Sequence, residues 1–235
     1  MKIEGSVAFV SGANRGLGAA FCRVLLEQGA TKVYAAARNP DSVAARDGVT
    51  PVRLDITSAA DIERLADACG DVTLLVNNAG ILSPAPLLSL DAIERGRAEF
   101  DTNVFGTLAV TRALAPVLAA NGGGAIVNVL SVLSWFSAPG GALYSASKAA
   151  AWSLTNALRL ELLEQQTQVV ALHVGYMDTD MATGVDAPKS SPDVVAAQAL
   201  AGVEGGAFEV LADDISRMVR GSLSADLTAL YPQLA

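Results

Sequence analysis

Tyr144 and Lys148 form a pair that is suited to proton transfer. They stand in Tyr144-Ser145-Ala146-Ser147-Lys148, a spacing that places both side chains on one face of a helix. An unperturbed phenol ionises near pH ~10, and a nearby ammonium favours the phenolate and lowers that pKa. Such a tyrosine could pass a proton to or from an alcohol oxygen near neutral pH.

A glycine-rich turn precedes the first predicted helix, in Ser11-Gly12-Ala13-Asn14-Arg15-Gly16-Leu17-Gly18. Its glycines permit a tight turn and a close approach of the backbone to a pyrophosphate. The N-terminus of the following helix offers free N–H groups and the positive end of its dipole. The spacing is G-x-x-x-G-x-G rather than the commoner G-x-G-x-x-G. By itself, such a turn fits either a dinucleotide site or a plain strand-to-helix connection.

Short runs rich in β-branched residues alternate with longer helical patterns, and several runs are apolar at consecutive positions, as in strands covered on both faces. The predicted strands are Ser6–Ser11, Lys32–Ala37, Pro51–Asp55, Val72–Asn77, Ala125–Leu130, Val169–Val174 and Phe208–Leu211. The predicted helices are Leu17–Gln28, Ala59–Cys69, Asp91–Leu118, Ala142–Gln165, Pro192–Ala201 and Met218–Leu230. This alternation indicates an α/β fold of Rossmann type, a doubly wound, seven-stranded parallel sheet with helices on both faces. Ligands of such sheets bind beyond the carboxyl ends of the strands.

The composition excludes several classes of protein. Of 235 residues, 51% are hydrophobic and 17% charged, so the chain can bury a large core and is not disordered. A net charge of −8 disfavours nucleic-acid binding. The uncharged stretch 113–147 is broken by glycines and a proline, so it predicts buried core rather than a membrane span. We expect one domain, residues 1–235, in a reducing, cytoplasmic compartment, because two cysteines make no disulfide framework.

Three motifs occur in order along the chain: the glycine turn, Val76-Asn77-Asn78-Ala79-Gly80 and Tyr-x-x-x-Lys. Together they resemble the short-chain dehydrogenase/reductase family, over a span from Gly5 to about Leu211. The resemblance implies hydride transfer between a nicotinamide and a carbonyl or alcohol carbon. Tyr144 would exchange the proton, and Lys148 would lower its pKa and anchor the ribose. Ser131 would orient the substrate, and Asn103 would hold a water in the proton relay.

The resemblance also implies a cofactor site, and charge suggests which cofactor it takes. The second predicted strand ends at Arg38, without the acid that would hold the ribose of NAD, and Arg15 lies in the glycine turn. Two guanidiniums can clamp a 2′-phosphate, so we predict NADP(H). The predicted cofactor-binding residues are Gly12, Asn14, Arg15, Gly16, Leu17, Gly18, Arg38, Asp55, Ile56, Asn77, Ala79, Gly80, Tyr144, Lys148, Gly175 and Thr179.

The predicted substrate pocket is apolar and aromatic. Its predicted substrate contacts are Trp135, Phe136, Leu143, Tyr176 and Met177. Because this set carries no Lys or Arg, an uncharged ketone, aldehyde or secondary alcohol fits better than a sugar phosphate or keto acid. The irregular segment Met177–Ser191 is a predicted lid, short enough to leave the pocket accessible to varied substrates. Val174 departs from the family's proline before Gly175, so this turn could be looser.

Other hypotheses stay open at this stage. The chain could be a catalytically silent NADP-binding regulatory or scaffold protein, or could run epimerisation or dehydration on the same fold. The absence of Gly-x-Ser-x-Gly argues against an α/β-hydrolase. We predict no metal site, since the sequence has one histidine, His173, which is expected in the core. We expect a homo-oligomer, a dimer or a tetramer, with a dimer favoured through Asp91–Leu118 and Ala142–Gln165.

Overall fold

A single parallel sheet organises the fold, as the computed structural model shows for residues 1–234. The strands are β1 (Val7–Ser11), β2 (Lys32–Ala37), β3 (Val49–Arg53), β4 (Leu74–Asn77), β5 (Gly124–Val129), β6 (Thr167–His173) and β7 (Glu209–Leu211). Their order across the sheet is β3-β2-β1-β4-β5-β6-β7, and every neighbouring pair is parallel. The predicted doubly wound, seven-stranded sheet is therefore confirmed. The strand order reverses between β1 and β4, which is where such sheets bind their ligands.

Helices cover both faces of the sheet. They are α1 (Gly16–Glu27), α2 (Ala59–Glu63), α3 (Leu65–Ala68), α4 (Ala92–Phe100), α5 (Thr107–Ala120), α6 (Ala142–Glu161), α7 (Pro192–Glu204) and α8 (Asp214–Gly221). Phe21 of α1 and Leu200 of α7 pack with Val10 in one core, whereas Leu114 of α5 packs with Phe9 in the other. Neighbouring residues of β1 thus serve opposite cores, because successive side chains of a strand point to opposite faces.

Two predicted helices are divided in the structure. The stretch predicted as Asp91–Leu118 contains α4, a π-helical segment at Asp101–Gly106, and α5. The stretch predicted as Ala59–Cys69 is divided between α2 and α3 at Arg64. There the buried Asp61 carboxylate accepts hydrogen bonds from the Arg64 guanidinium, at 2.6 Å, and from the Asp55 N–H, at 2.9 Å. The hydrophobic periodicity of the sequence gives no sign of such polar contacts, so the sequence did not predict this division.

The predicted C-terminal helix Met218–Leu230 was wrong in position. The structure has α8 at Asp214–Gly221, followed by a short 3₁₀ turn at Leu227–Ala229. Asp213 starts α8, since its carboxylate accepts a hydrogen bond from the Ser216 N–H at 2.9 Å. This is an ordinary N-cap.

The continuous helical stretch Ala92–Ala120 is long and apolar enough to cross a membrane, judged by length and composition alone. Its residues Val110, Leu114 and Leu118 are fully buried in the protein core. A core helix passes the same test as a membrane span, so one such stretch is weak evidence for a membrane.

Candidate active site

The glycine turn forms a cradle with no room for side chains. Gly12 and Gly16 have φ angles of +65° and +53°, in the left-handed region that favours glycine. A Cβ on Gly18 would lie 2.1 Å from the Gly12 carbonyl oxygen. Within residues 1–234, no side chain caps the N-terminus of α1 at Arg15, and its first turn carries no acid. A tight turn that opens onto free helical N–H groups fits a dinucleotide pyrophosphate.

The cradle is fastened to the segment that follows β4. The Ser11 hydroxyl oxygen accepts hydrogen bonds from the backbone N–H of Asn78, at 3.0 Å, and of Ala79, at 3.1 Å. The Asn78 side-chain amide donates to the carbonyl oxygens of Ser11, at 2.9 Å, and Gly12, at 3.0 Å. The sequence prediction had not included Ser11 or Asn78 in the site, although both lie inside its motifs. Their bonds hold the two halves of the cleft together.

Arg15 and Arg38, the two predicted phosphate-binding residues, are both exposed. Arg15 Nη1 lies 2.8 Å from Asp180 Oδ2, in a pair whose side chains are 70% and 74% exposed. Such an exposed pair contributes little to stability. The Asp55 carboxylate accepts hydrogen bonds from the Thr57 hydroxyl and N–H, which lower its pKa, and the nearby Arg38 charge lowers it further.

Asn77 does not face the cleft, contrary to its predicted contact with the cofactor. Its side chain is 4% exposed and donates to Thr111 Oγ1, at 2.9 Å, and to Asn128 Oδ1, at 2.8 Å. The Asn128 side chain in turn donates to Thr155 Oγ1 at 2.9 Å. This buried chain of polar groups links β4 and β5 with α5 and α6. The side chain of Asn77 is therefore structural.

Three other predicted cofactor-binding residues, Thr179, Gly175 and Ile56, contact different parts of the structure. Thr179 lies at the cradle, since a Cβ on Gly16 would be 3.2 Å from Thr179 Cγ2. Gly175 is engaged with the start of α8, where its N–H donates to Asp213 Oδ2 at 2.6 Å. Ile56 is buried and packs against the π-helical segment, because a Cβ on Gly106 would lie 2.8 Å from Ile56 Cδ1.

Lys148 and Tyr144 project from α6 beside the end of β5. Lys148 is 5% exposed, and its Nζ donates to the Val129 carbonyl oxygen at 2.9 Å. The same Nζ lies 5.6 Å from the centroid of the Tyr144 ring. Ser131 follows β5 and is buried, and its hydroxyl oxygen accepts a hydrogen bond from the Leu133 N–H at 3.1 Å.

Burial dominates the acidity of both α6 groups. It raises the pKa of Tyr144 to about 12, with a hydrogen bond from Ser131 opposing the rise and the Glu99 charge adding to it. It lowers the pKa of Lys148 to about 8. In the cofactor-free protein burial outweighs any lowering of the phenol pKa by Lys148, because a desolvated site disfavours phenolate and ammonium alike. The predicted role of Lys148 in lowering this pKa stays a prediction. Near neutral pH the phenol carries its proton and can donate it.

Asn103 lies in the π-helical segment and connects α6 with the loop after β4. Its side-chain amide donates to the Ile81 carbonyl oxygen, at 2.9 Å, and to Ser147 Oγ, at 3.0 Å, while its Oδ1 accepts from the Ile81 N–H at 2.8 Å. A Cβ on Gly80 would lie 3.1 Å from Asn103 Oδ1 and 3.6 Å from Lys148 Nζ. Segments of π-helix are frequent at functional sites. The predicted water-holding role of Asn103 stays a prediction.

Trp135 is partly buried and belongs to an aromatic cluster next to Ser131. Its ring stacks on His173 with centroids 3.8 Å apart and meets Trp152 edge-on at 6.1 Å. His173 is fully buried, as expected, and burial lowers its pKa to about 4. Its Nδ1 lies 3.2 Å from the Ser131 carbonyl oxygen. The cluster supports the backbone of the candidate catalytic serine.

The remaining predicted substrate residues are divided between the core and the surface. Met177 packs against the core that contains α1 and α7, whereas Tyr176 is 48% exposed. Leu143 packs against α4 at Gly96, where an added Cβ would lie 3.2 Å from its Cδ1. Phe136 meets Tyr231 of the C-terminal segment, with ring centroids 6.4 Å apart. The contact with this segment was not predicted, since nothing local in the sequence pairs these residues.

The predicted lid is a loop that is closed at its base. Met177 and Ser190 form a β-bridge, in which the Asp178 N–H donates to the Ser190 carbonyl oxygen at 3.0 Å and the Ser190 N–H donates to the Tyr176 carbonyl oxygen at 2.8 Å. Asp180, the partner of Arg15, lies at its first turn. The loop thus adjoins the cradle on one side.

Comparison with known proteins agrees with this arrangement. Residues 6–190 match the short chain dehydrogenase family. A 1-deoxy-11-beta-hydroxypentalenate dehydrogenase of Streptomyces exfoliatus is 31% identical, over 98% of this chain and 84% of that protein. A sorbitol dehydrogenase of Cereibacter sphaeroides is 33% identical, over 80% of this chain and 76% of that protein.

A solved structure extends the likeness to the whole chain. A short chain dehydrogenase from Burkholderia cenocepacia, in complex with NADP, superimposes with a TM-score of 0.94 and is 42% identical. The match covers 100% of this chain and 99% of that one. With the parallel sheet, the glycine cradle and the Tyr144–Lys148 pair already in place, these matches show that the chain is an oxidoreductase of the short-chain dehydrogenase/reductase family.

Proposed function

We propose that this protein is an NADP(H)-dependent carbonyl reductase, which also runs in reverse as an alcohol dehydrogenase. The observation that carries the proposal is the convergence of Tyr144, Lys148 and Ser131 at the end of β5, with Gly80 linking them to the cofactor side of the cleft. The NADP in the Burkholderia cenocepacia relative supports the choice of cofactor. The relatives from Streptomyces exfoliatus and Cereibacter sphaeroides are named as dehydrogenases, which supports the reaction type.

In the proposed mechanism, each side chain has one task. When bound, the cofactor supplies the hydride for reduction. Ser131 donates a hydrogen bond to the carbonyl oxygen of the substrate, and Tyr144 delivers its phenolic proton to that oxygen as negative charge develops there. The Lys148 ammonium, anchored by the Val129 carbonyl oxygen, stabilises the phenolate that remains. Because burial raises its pKa to about 12, Tyr144 carries its proton near neutral pH and is the proton donor at the start of reduction.

Replacement of Tyr144 by Phe tests the proton-donor role. The change keeps the ring and removes only the hydroxyl, so we expect turnover of aryl ketones and aldehydes to be lost while the Kd for NADPH is unchanged. Tyr34→Phe is a matched control, because the Tyr34 hydroxyl bonds Asp71 beside β2, away from the cleft. Retained activity in Tyr144→Phe would refute the mechanism. NADPH binding without turnover in the unaltered protein would instead favour a silent binding protein.

Replacement of Arg38 by Ala tests the choice of cofactor. A hydrogen bond to a charged group contributes roughly 1.5–3 kcal/mol, so we expect the Kd for NADPH to rise about 10- to 100-fold, with the Kd for NADH nearly unchanged. Arg217→Ala serves as a control, since Arg217 bonds Asp214 within α8. Equal affinities of the unaltered protein for NADPH and NADH would contradict the proposed specificity.

A homo-oligomeric assembly and a cytoplasmic location stay predictions.

A further inference from the structure

His173 is a buried side chain that the proposed mechanism does not use. It is the one histidine of the sequence, and it ends β6 with none of its surface exposed. Its Nδ1 lies 3.2 Å from the Ser131 carbonyl oxygen, whereas its buried Nε2 has no hydrogen-bond partner among residues 1–234. An apolar side chain would fill this place without leaving a polar atom unpaired, so the imidazole calls for an explanation.

The contact with Ser131 defines which ring nitrogen of His173 carries the proton. A carbonyl oxygen only accepts hydrogen bonds, so Nδ1 is the donor in this contact. Burial lowers the pKa of His173 to about 4, which leaves a single proton on the ring near neutral pH. The imidazole is therefore the neutral tautomer with its hydrogen on Nδ1 and none on Nε2.

Neighbouring elements hold the imidazole of His173 in place. Its ring stacks on Trp135, with centroids 3.8 Å apart and an angle of 18° between the planes. Its backbone carbonyl oxygen accepts a hydrogen bond from the N–H of Ala212, the residue after β7, at 2.9 Å. The Arg220 guanidinium of α8 lies 5.8 Å from the centroid of the Trp135 ring. Backbone and ring of His173 are both fixed, so the direction of the Nδ1–H bond is fixed as well.

The backbone of β6 holds the neighbours of Ser131 but not Ser131 itself. The N–H groups on either side of it donate to carbonyl oxygens of β6 or the residue after it, in the bonds Leu130 to Leu172, at 2.8 Å, and Val132 to Val174, at 3.0 Å. The Ser131 carbonyl oxygen instead accepts from the Ser134 N–H, at 2.9 Å within its own turn, and from the imidazole. Within residues 1–234, His173 thus provides the hydrogen bond that ties Ser131 to β6.

We propose that His173 is a positioning residue for the proposed reaction, whose Nδ1–H holds the Ser131 carbonyl oxygen and thereby aims the Ser131 hydroxyl at the substrate oxygen. That hydroxyl oxygen accepts the Leu133 N–H at 3.1 Å, so its own proton remains for the substrate. Such a donor accelerates the reaction because it is already in place when charge develops on the substrate oxygen. The inference rests on the proposed function of Ser131.

His173→Phe and His173→Asn form a matched pair of variants. Phenylalanine keeps an aromatic ring against Trp135 but has no donor, whereas the asparagine amide offers a nitrogen donor near the position of Nδ1. We expect His173→Phe to lower kcat for carbonyl reduction about 3- to 10-fold, the effect of one neutral hydrogen bond, with the Kd for NADPH unchanged. His173→Asn should recover part of this loss. Damage to packing alone gives the opposite order, because asparagine loses the stacking that phenylalanine keeps, and that order would overturn the inference.

A double-mutant cycle shows whether His173 acts through Ser131. Ser131→Ala removes the hydroxyl and lowers kcat by itself. If the imidazole serves to aim that hydroxyl, His173→Phe should lower kcat by less than about twofold once Ser131 is alanine. A loss of equal size in both backgrounds would mean that the two changes are additive and would contradict the positioning role.

A third measurement needs no substrate. Because the sequence has one histidine, ¹⁵N-histidine labelling gives the NMR signals of His173 alone. We expect a protonated Nδ1 and an unprotonated Nε2 at neutral pH. The opposite tautomer would refute the inference, since it has no hydrogen to donate to the Ser131 carbonyl oxygen. The expected tautomer in a protein that turns over no carbonyl would support the hold on Ser131 and defeat the proposed function.

Discussion

Lys148→Met is expected to make the protein more stable near neutral pH while abolishing turnover. Lys148 is 5% exposed, and burial lowers its pKa from 10.5 to about 8. The unfolded chain therefore binds the proton more tightly than the folded protein does. The cost of holding the buried ammonium is fully present below pH about 8 and is relieved as the pH rises towards 10.5.

The size of this effect follows from the two pKa values. The difference between 10.5 and about 8 corresponds to about 3 kcal/mol, since one pH unit equals ~1.36 kcal/mol. Methionine fills the same volume without the charge, but it leaves the Val129 carbonyl oxygen without its donor at 2.9 Å, a loss of roughly 1 kcal/mol. We therefore expect Lys148→Met to raise the free energy of unfolding by about 2 kcal/mol near pH 7. Above pH ~10.5 only the lost hydrogen bond counts, so the variant becomes about 1 kcal/mol less stable than the parent protein.

Urea unfolding of the cofactor-free protein near pH 7 and above pH ~10.5 measures this reversal in the stability difference between Lys148→Met and the parent protein. Lys189→Met in the lid is the control, because Lys189 is exposed and its replacement should change stability little at either pH. A Lys148→Met variant that is less stable than the parent protein at neutral pH would refute the reasoning. An advantage of equal size at both pH values would refute it as well, because a packing effect does not depend on the titration of Lys148.

Gly18→Ala places a Cβ 2.1 Å from the Gly12 carbonyl oxygen. It should therefore destabilise the protein by about 1–3 kcal/mol and weaken NADPH binding, as thermal unfolding and a fluorescence titration would measure. Gly221→Ala, where an added Cβ meets nothing within 4 Å, should do neither. Asn77→Ala removes two buried hydrogen bonds and should lower the free energy of unfolding by about 2–4 kcal/mol in urea. The exposed Asn14→Ala should not, and equal stabilities for these two variants would contradict the structural role of Asn77.

The sequence alone was sufficient to predict the fold and the pairing of Tyr144 with Lys148. Consecutive apolar positions mark strands covered on both sides, and alternation with helices leaves a parallel sheet as the solution. A spacing of four along a helix places two side chains on one face regardless of what packs against it. The glycine turn is equally local, because its left-handed φ angles and its contact with the start of α1 involve neighbouring residues.

Which residues each strand or helix face contacts was determined only by the tertiary structure. Asn77 was predicted at the cofactor but points into the chain of buried amides and hydroxyls, because its place in β4 turns it towards α5. Trp135 stacks on His173 from a distant strand, and the Glu99 carboxylate of α4 accepts a hydrogen bond from the Ser83 N–H of the loop after β4. The acidity of Tyr144 depends on the same packing, since desolvation is set by all the elements that exclude water from it. Local spacing specifies the direction of a side chain from its own element, whereas its partners and its access to water depend on contacts between residues far apart in the chain.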